Sequence, residues 1–120
     1  MSYLKSIVSV SGLVALFAVG CAGSEVPLDH LTDAKATIRA AQEAGAQSTP
    51  QAALHLKMAN DELASAQKAI DDHDNDRARL LLNQAQSDAD LSLALARGTT
   101  EKQHAQEAQA KIDSLLKQVQ

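Results

Sequence analysis

Cys21 is the residue whose type and position could do the most distinctive chemistry, and it is the only cysteine of the chain. A single thiol cannot form an internal disulfide, and in an oxidising compartment it would be a liability. Alkylation by a diacylglyceryl group would remove that liability. It would also supply two acyl chains. Two chains anchor a protein stably in a bilayer, whereas one chain binds only marginally. The sequence therefore predicts Cys21 as a lipidation site.

The residues before Cys21 have the parts of a secretory signal. Lys5 is the one basic residue of the start, and residues 7–19 are almost wholly apolar. This run is shorter than the roughly 20 apolar residues of a spanning helix. Ala18 and Gly20 are small, which suits a peptidase that binds extended backbone. We therefore predict a cleavable signal peptide over 1–20, with a cleavage site formed by Ala18, Gly20 and Cys21.

Val19, Gly20 and Cys21 resemble the lipobox of bacterial lipoproteins, whose usual form is Leu-(Ala/Ser)-(Gly/Ala)-Cys. Ala18 stands where Leu is commoner. Two other outcomes stay open: release of a soluble protein by an ordinary signal peptidase, and an uncleaved anchor. The resemblance implies a periplasm-facing envelope protein with a lipidated tether at 21–26. Ala22 resembles the outer-membrane sorting pattern of cells that have two membranes.

The composition excludes several classes of function. The chain has 15 acidic and 11 basic residues without long runs of one sign, so electrostatic binding of nucleic acid has no support. Tyr3 and Phe17 are the only aromatic residues, and both precede Cys21. The mature chain therefore has no side chains for base stacking or aromatic cages. Its many alanines favour helices but bury little area each, so we expect thin helical packing.

Apolar spacing predicts three helices. The first spans about 27–45, from Pro27 to a stop at Gly45. The second spans about 50–72, with Ser48 or Thr49 as cap, Gln51 reaching back, and Pro50 in the first turn. Its apolar residues alternate steps of four and three, as in a heptad seam: Ala52, Leu56, Ala59, Leu63, Ala66 and Ile70.

The polar link 71–76 predicts that the second and third helices are antiparallel neighbours. Asp74, Asn75 or Asp76 can cap the third helix. Gly98-Thr99-Thr100 is a possible break, with Thr100 and Gln103 as a capping box, but we favour one helix over about 75–118. The predicted fold is all-α: an antiparallel three-helix arrangement with a long C-terminal helix, preceded by the cleavable lipoprotein signal peptide.

The third helix has two apolar faces. One carries Ala78, Leu82, Ala85, Ala89 and Ala96 toward the hairpin. The other belongs to the extension 98–120, whose heptad seam is formed by Ala105, Ala108, Ile112, Leu115 and Val119. At about 100° per residue the two faces differ by roughly 140°. This C-terminal seam could pack in a coiled coil, bind a partner or lie on a membrane, although membrane-lying helices usually carry aromatic residues.

Residues 27–97 resemble the bacterial lipoprotein family built on domain of unknown function 4398. The resemblance is carried by Ala40-Ala41, Ala44-Gly45-Ala46, Pro50, Leu56, Ala59, Leu63, Ala66, Ala78, Leu82, Ala85 and Ala89. His73-Asp74 stands where the family usually has Gly-Asp, and an aromatic residue expected after Ala46 is missing. The resemblance implies an envelope lipoprotein of unassigned activity, and it brings no catalytic residue to this chain.

Candidate chemistry beyond Cys21 is sparse. Asp72, Asp74 and Asp76 are spaced like the start of a calcium loop, but Arg77 and Asn83 stand where that loop needs Gly and Glu. The histidines are scattered singly: His30, His55, His73 and His104. We predict no catalytic residue, metal site or cofactor. A single helical hairpin without aromatic signatures is also weak support for a tetratricopeptide-like repeat.

These features predict a non-enzymatic, lipid-anchored helical lipoprotein of the bacterial cell envelope that acts as a structural or protein-docking module. Its expected partners are the membrane, through acyl chains on Cys21, and envelope proteins or further copies of itself, through helix seams. The alternative is a periplasmic helical module that binds a small ligand or metal.

Overall fold

The computed structural model describes residues 23–119, which form three α-helices. The helices are α1 (Leu28–Glu43), α2 (Pro50–Asp71) and α3 (Asn75–Gln118), with a short 3-10 turn at Ala46–Ser48 between the first two. No strand occurs in this part of the chain. The predicted all-α class and all three helices are confirmed. The signal peptide 1–20 lies outside the described residues.

The turn after α1 depends on one glycine. Gly45 has a φ of +81° and its N–H donates to the Gln42 carbonyl, in the left-handed conformation that glycine adopts without steric cost. The chain then passes through the 3-10 turn to Thr49, the N-cap residue of α2. The predicted side-chain cap is wrong, because Thr49 makes no capping hydrogen bond. Pro50, with its fixed φ, starts the helix instead.

The link between α2 and α3 is closed by local polar contacts. His73 has a φ of +59°, so it occupies the left-handed region that residues other than glycine seldom adopt. Asp74 is the N-cap of α3, and its Oδ1 accepts a 3.2 Å hydrogen bond from the Arg77 N–H. The link is therefore a tight reversal, which makes α2 and α3 antiparallel.

Helix α3 is continuous through the possible break at 98–100. The hydroxyls of Thr99 and Thr100 donate to the carbonyls of Leu95 and Ala96, four residues earlier, at 3.1 and 3.2 Å. These bonds place both threonines inside a helix and not at a cap. A Cβ added at Gly98 would meet nothing within 4 Å, so the glycine is not required by packing. The preference for one long helix is confirmed.

The core is a thin layer in which α1 and α2 both pack on the first half of α3. Ala34 of α1 clusters with Ala66 of α2 and Leu82 of α3, while Ile38 clusters farther along with Ala89 and Ala96. Helices α1 and α3 are therefore parallel, and α2 runs against both. Most buried apolar residues are alanines, which allow close backbone approach, and Leu82 and Ser92 are the largest side chains that are fully buried.

Candidate functional site

The predicted lipidation and cleavage residues, Ala18, Gly20 and Cys21, lie outside the described residues. The structure does place the tether that follows them. The carbonyl of Ser24 accepts a hydrogen bond from the side-chain amide of Asn75, the first residue of α3. Residue 24 is thus held at the end of the bundle where α3 begins. The C-terminal end of α3 points the opposite way.

The acidic link lies at the same end of the bundle, and its carboxylates have local partners. Asp74 caps α3, Asp72 lies 2.9 Å from Lys68 Nζ, and Asp76 lies 3.6 Å from a guanidinium nitrogen of Arg79. Between residues 23 and 119, no group of three His, Cys, Asp or Glu side chains is placed to hold a metal ion. The link acts as a helix cap with two exposed ion pairs.

One histidine makes a contact that sequence reasoning did not foresee. His55 Nδ1 of α2 lies 2.7 Å from Asp88 Oδ1 of α3, and both side chains are largely shielded from solvent. Because a carboxylate only accepts hydrogen bonds, the contact needs the proton on Nδ1. The other histidines stand apart, with His104 3.7 Å from Glu107 within α3 and His73 in the link.

Glu62 lies beside this pair. Burial, and then the neighbouring carboxylate of Asp88, raise the pKa of Glu62 above its ordinary value, and Asp61 adds to the effect. Its Oε2 is buried and has no hydrogen-bond partner. His55 and Glu62 are seven residues apart in the sequence, so their placement on one face of α2 could have been predicted. Asp88, 33 residues beyond His55, could be added only by knowing how the helices pair.

The clefts between the helices are small. One of about 370 Å³ lies between α1 and α3, where it is bordered by His30, Asp33 and Asn83. Gln86 crosses it and donates a 2.7 Å hydrogen bond to Thr37 Oγ1. Another, of about 410 Å³, opens beside Glu62, Asp88 and Leu91. Both have polar borders and carry no arrangement of nucleophile, base and oxyanion donors that would indicate catalysis.

The C-terminal seam is an apolar stripe that lies outside the core. Every residue from 101 to 119 is exposed. Ile112 and Leu115 are about half exposed, at 51% and 50%, and Val119 is 84% exposed. Leu80 and Leu91, which mark the second apolar side of α3, are also exposed, at 60% and 43%. Within residues 23–119, nothing covers this side of the helix.

Position along α3 separates the tether from this seam. At about 1.5 Å per residue, residues 105–119 lie roughly 45–66 Å along the helix from Asn75. Among the described residues, no helix is both long enough and apolar enough to cross a bilayer. The candidate site is therefore a surface: an exposed apolar stripe at the end of the molecule farthest from residue 24.

Fold and surface together define an all-α protein, a three-helix packing unit whose last helix continues beyond it. The chain belongs to the family described as a domain of unknown function (DUF4398), whose family model matches residues 29–113. The match confirms the resemblance to domain of unknown function 4398, and it continues into the segment 98–120 that was predicted to be a C-terminal extension. No curated protein and no solved structure matches the chain.

Proposed function

We propose that this chain is a lipid-anchored, non-enzymatic helical lipoprotein of the bacterial cell envelope that acts as a structural or protein-docking module. Acyl chains on Cys21 would hold one end at a bilayer, facing the periplasm, and at the outer membrane where the cell has two. The helical unit would then present α3 away from that surface. The role follows from where the molecule is held and what it exposes.

The observation that carries the docking part is the exposed seam of α3. Monomeric proteins seldom leave a contiguous apolar stripe uncovered, because such a stripe lowers solubility unless a partner covers it. Here Ile112, Leu115 and Val119 lie at least half exposed at helical spacing. Three-and-four spacing is the pattern by which one helix packs against another. A helical partner therefore fits this surface better than a small ligand does.

The anchoring part is supported by the position of the tether. Asn75 fixes residue 24 at the end of the bundle from which α3 starts, three positions after Cys21. A bilayer holding Cys21 would lie next to the polar α2–α3 link. The seam would then begin roughly 45 Å away along the helix, and this distance would leave it free for periplasmic partners.

Labelling with a palmitate analogue in bacteria that express the full chain tests the anchor. We expect label incorporation, membrane fractionation and a mass gain matching a diacylglyceryl group, all lost in Cys21→Ser. The matched control is Cys21→Ser combined with Ser24→Cys. It keeps one thiol three residues away, and only the backbone carbonyl of Ser24 contacts Asn75. The lipid anchor would be refuted if the Cys21→Ser variant still fractionated with membranes and its mass differed from that of the parent protein only by the substitution.

A further inference from the structure

The C-terminal seam has an uneven distribution of side-chain size. Ala105 and Ala108 occupy its first half, and Ile112 and Leu115 occupy its second half. In a coiled coil, knobs of one helix fill holes of the other, and layers pack best where a large residue meets a small one. The size order along the seam therefore decides which pairing of two such helices fills space.

A second copy in antiparallel orientation satisfies this requirement in the four layers formed by residues 105, 108, 112 and 115. If Ala105 lies opposite Leu115 of a second copy, then Ala108 lies opposite Ile112, and the same two pairs recur by symmetry. A parallel copy in register would instead place alanine on alanine and then isoleucine on isoleucine. Isoleucine and leucine layers pack well in a parallel pair, but they hold the helices too far apart for the alanine layers, so the first half would be left with gaps.

The charges flanking the seam favour the same orientation. Residues 103–109, which this register sets opposite residues 111–117, hold one acidic residue, Glu107, and no lysine or arginine, which gives a net charge of −1. Residues 111–117 hold two lysines and one acidic residue, Lys111, Lys117 and Asp113, which gives 2 − 1 = +1. Antiparallel pairing sets each segment against its opposite charge, whereas parallel pairing sets like against like.

We infer that the occupant of the C-terminal seam is a second copy of this chain, bound tail to tail through residues 101–119 in antiparallel orientation. The inference deepens the proposed docking role and rests on it, but it does not depend on the lipid. The pairing axis would pass near residue 110. The two Asn75 ends would then lie roughly 105 Å apart at 1.5 Å per residue. Such a pair would connect two membrane surfaces that face each other. It would not form between two chains anchored side by side in one bilayer.

Disulfide mapping tests this arrangement in the full chain carrying Cys21→Ser, so that an introduced cysteine is the only thiol. One sample carries Ala105→Cys and the other Leu115→Cys, and the two are mixed in detergent with micelles in large excess. A matched mixture carries Gln103→Cys and Lys117→Cys, which occupy equivalent levels on the opposite side of α3. Disulfides form only when Cα atoms come within about 7 Å, so we expect the 105–115 bond roughly tenfold faster than the 103–117 bond.

Two results would overturn the inference. A Leu115→Cys homodisulfide that forms faster than the mixed bond would mean parallel pairing. A mixed bond no faster than the 103–117 control would mean that the seam does not bind a second copy. Because Cys21 is absent from all four chains, neither result bears on lipidation, and the palmitate experiment judges the anchor separately.

Discussion

The two halves of α3 contrast in a way that the residue types alone do not suggest. In the half that packs on α1 and α2, six residues are buried: Leu82, Ser92 and four alanines that include Ala78 and Ala96. In the half beyond Ala96, the larger apolar residues Ile112 and Leu115 are exposed. Alanine marks where helices approach closely, and the bulky residues of the second half mark a surface that no other part of residues 23–119 covers.

The contrast is most sharply tested by removing one large side chain from each half. Leu82→Ala should lower the free energy of unfolding by about 2–5 kcal/mol, because Leu82 is among the largest fully buried side chains and the cavity cannot close fully. Ile112→Ala should change it by less than about 0.5 kcal/mol in the monomer. Urea unfolding of the full chain in detergent, followed by circular dichroism at 222 nm, checks both.

If Leu82→Ala and Ile112→Ala proved equally destabilising at high dilution, the extension would be part of the folded core, and the comparison would fail. If the cost of Ile112→Ala grew with protein concentration, the comparison would be sharpened, because the seam would then be buried by association.

Alanine substitutions at two glycines should change stability in opposite directions. Gly45 has a φ of +81°, so Gly45→Ala should destabilise the turn by about 1–2 kcal/mol. Gly98 lies within α3 with open space around it, so Gly98→Ala should stabilise the helix locally by about 0.8–1 kcal/mol. Unfolding curves check the first, and hydrogen exchange of amides 97–118 checks the second. Slower global unfolding in Gly45→Ala would contradict the left-handed turn.

Much of the fold could be predicted because local signals were strong and agreed with each other. Pro50 and Gly45 are unambiguous in their positions, and the alanine and leucine spacing of α2 matches one buried face. The missed contacts are tertiary. The pair of His55 and Asp88 depends on the register between α2 and α3, and the hydrogen bond from Asn75 to Ser24 depends on how the tether returns. Neither contact can be predicted from the spacing of neighbouring residues.

The candidate site was predicted only in part, for a similar reason. The heptad spacing of residues 105–119 predicted an apolar seam. That spacing does not determine whether the other helices of the same chain cover the seam. The structure answers this for residues 23–119 by exposing the whole seam. The side-chain cap at Thr49 was wrong because a helix that begins with proline needs fewer N–H partners.

Polar contacts across the hairpin give a smaller expected effect. The buried Ser92 hydroxyl donates a 2.8 Å hydrogen bond to the Ala52 carbonyl of α2. Ser92→Ala should cost about 0.5–1.5 kcal/mol, the usual net value of such a bond. Ser87 is the matched control, because its hydroxyl is exposed and bonds only to Asn83 of the same helix. Ser87→Ala should be close to neutral, and equal costs would contradict the interhelical role of Ser92.

The smallest effect depends on pH and concerns Glu62. Burial and the charge of Asp88 raise its pKa in the folded state, so the folded protein binds the proton more tightly than the unfolded chain does. Stability from this group is fully present below the ordinary Glu pKa of about 4.3 and is lost as pH rises through the raised folded value. Glu62→Gln should therefore be more stable than the parent at pH 7, with a difference that vanishes below about pH 4.3. Thermal unfolding across this range measures it, with the exposed Glu101→Gln as control. A pH-independent difference would mean that Glu62 affects stability by packing alone and that folding does not raise its pKa.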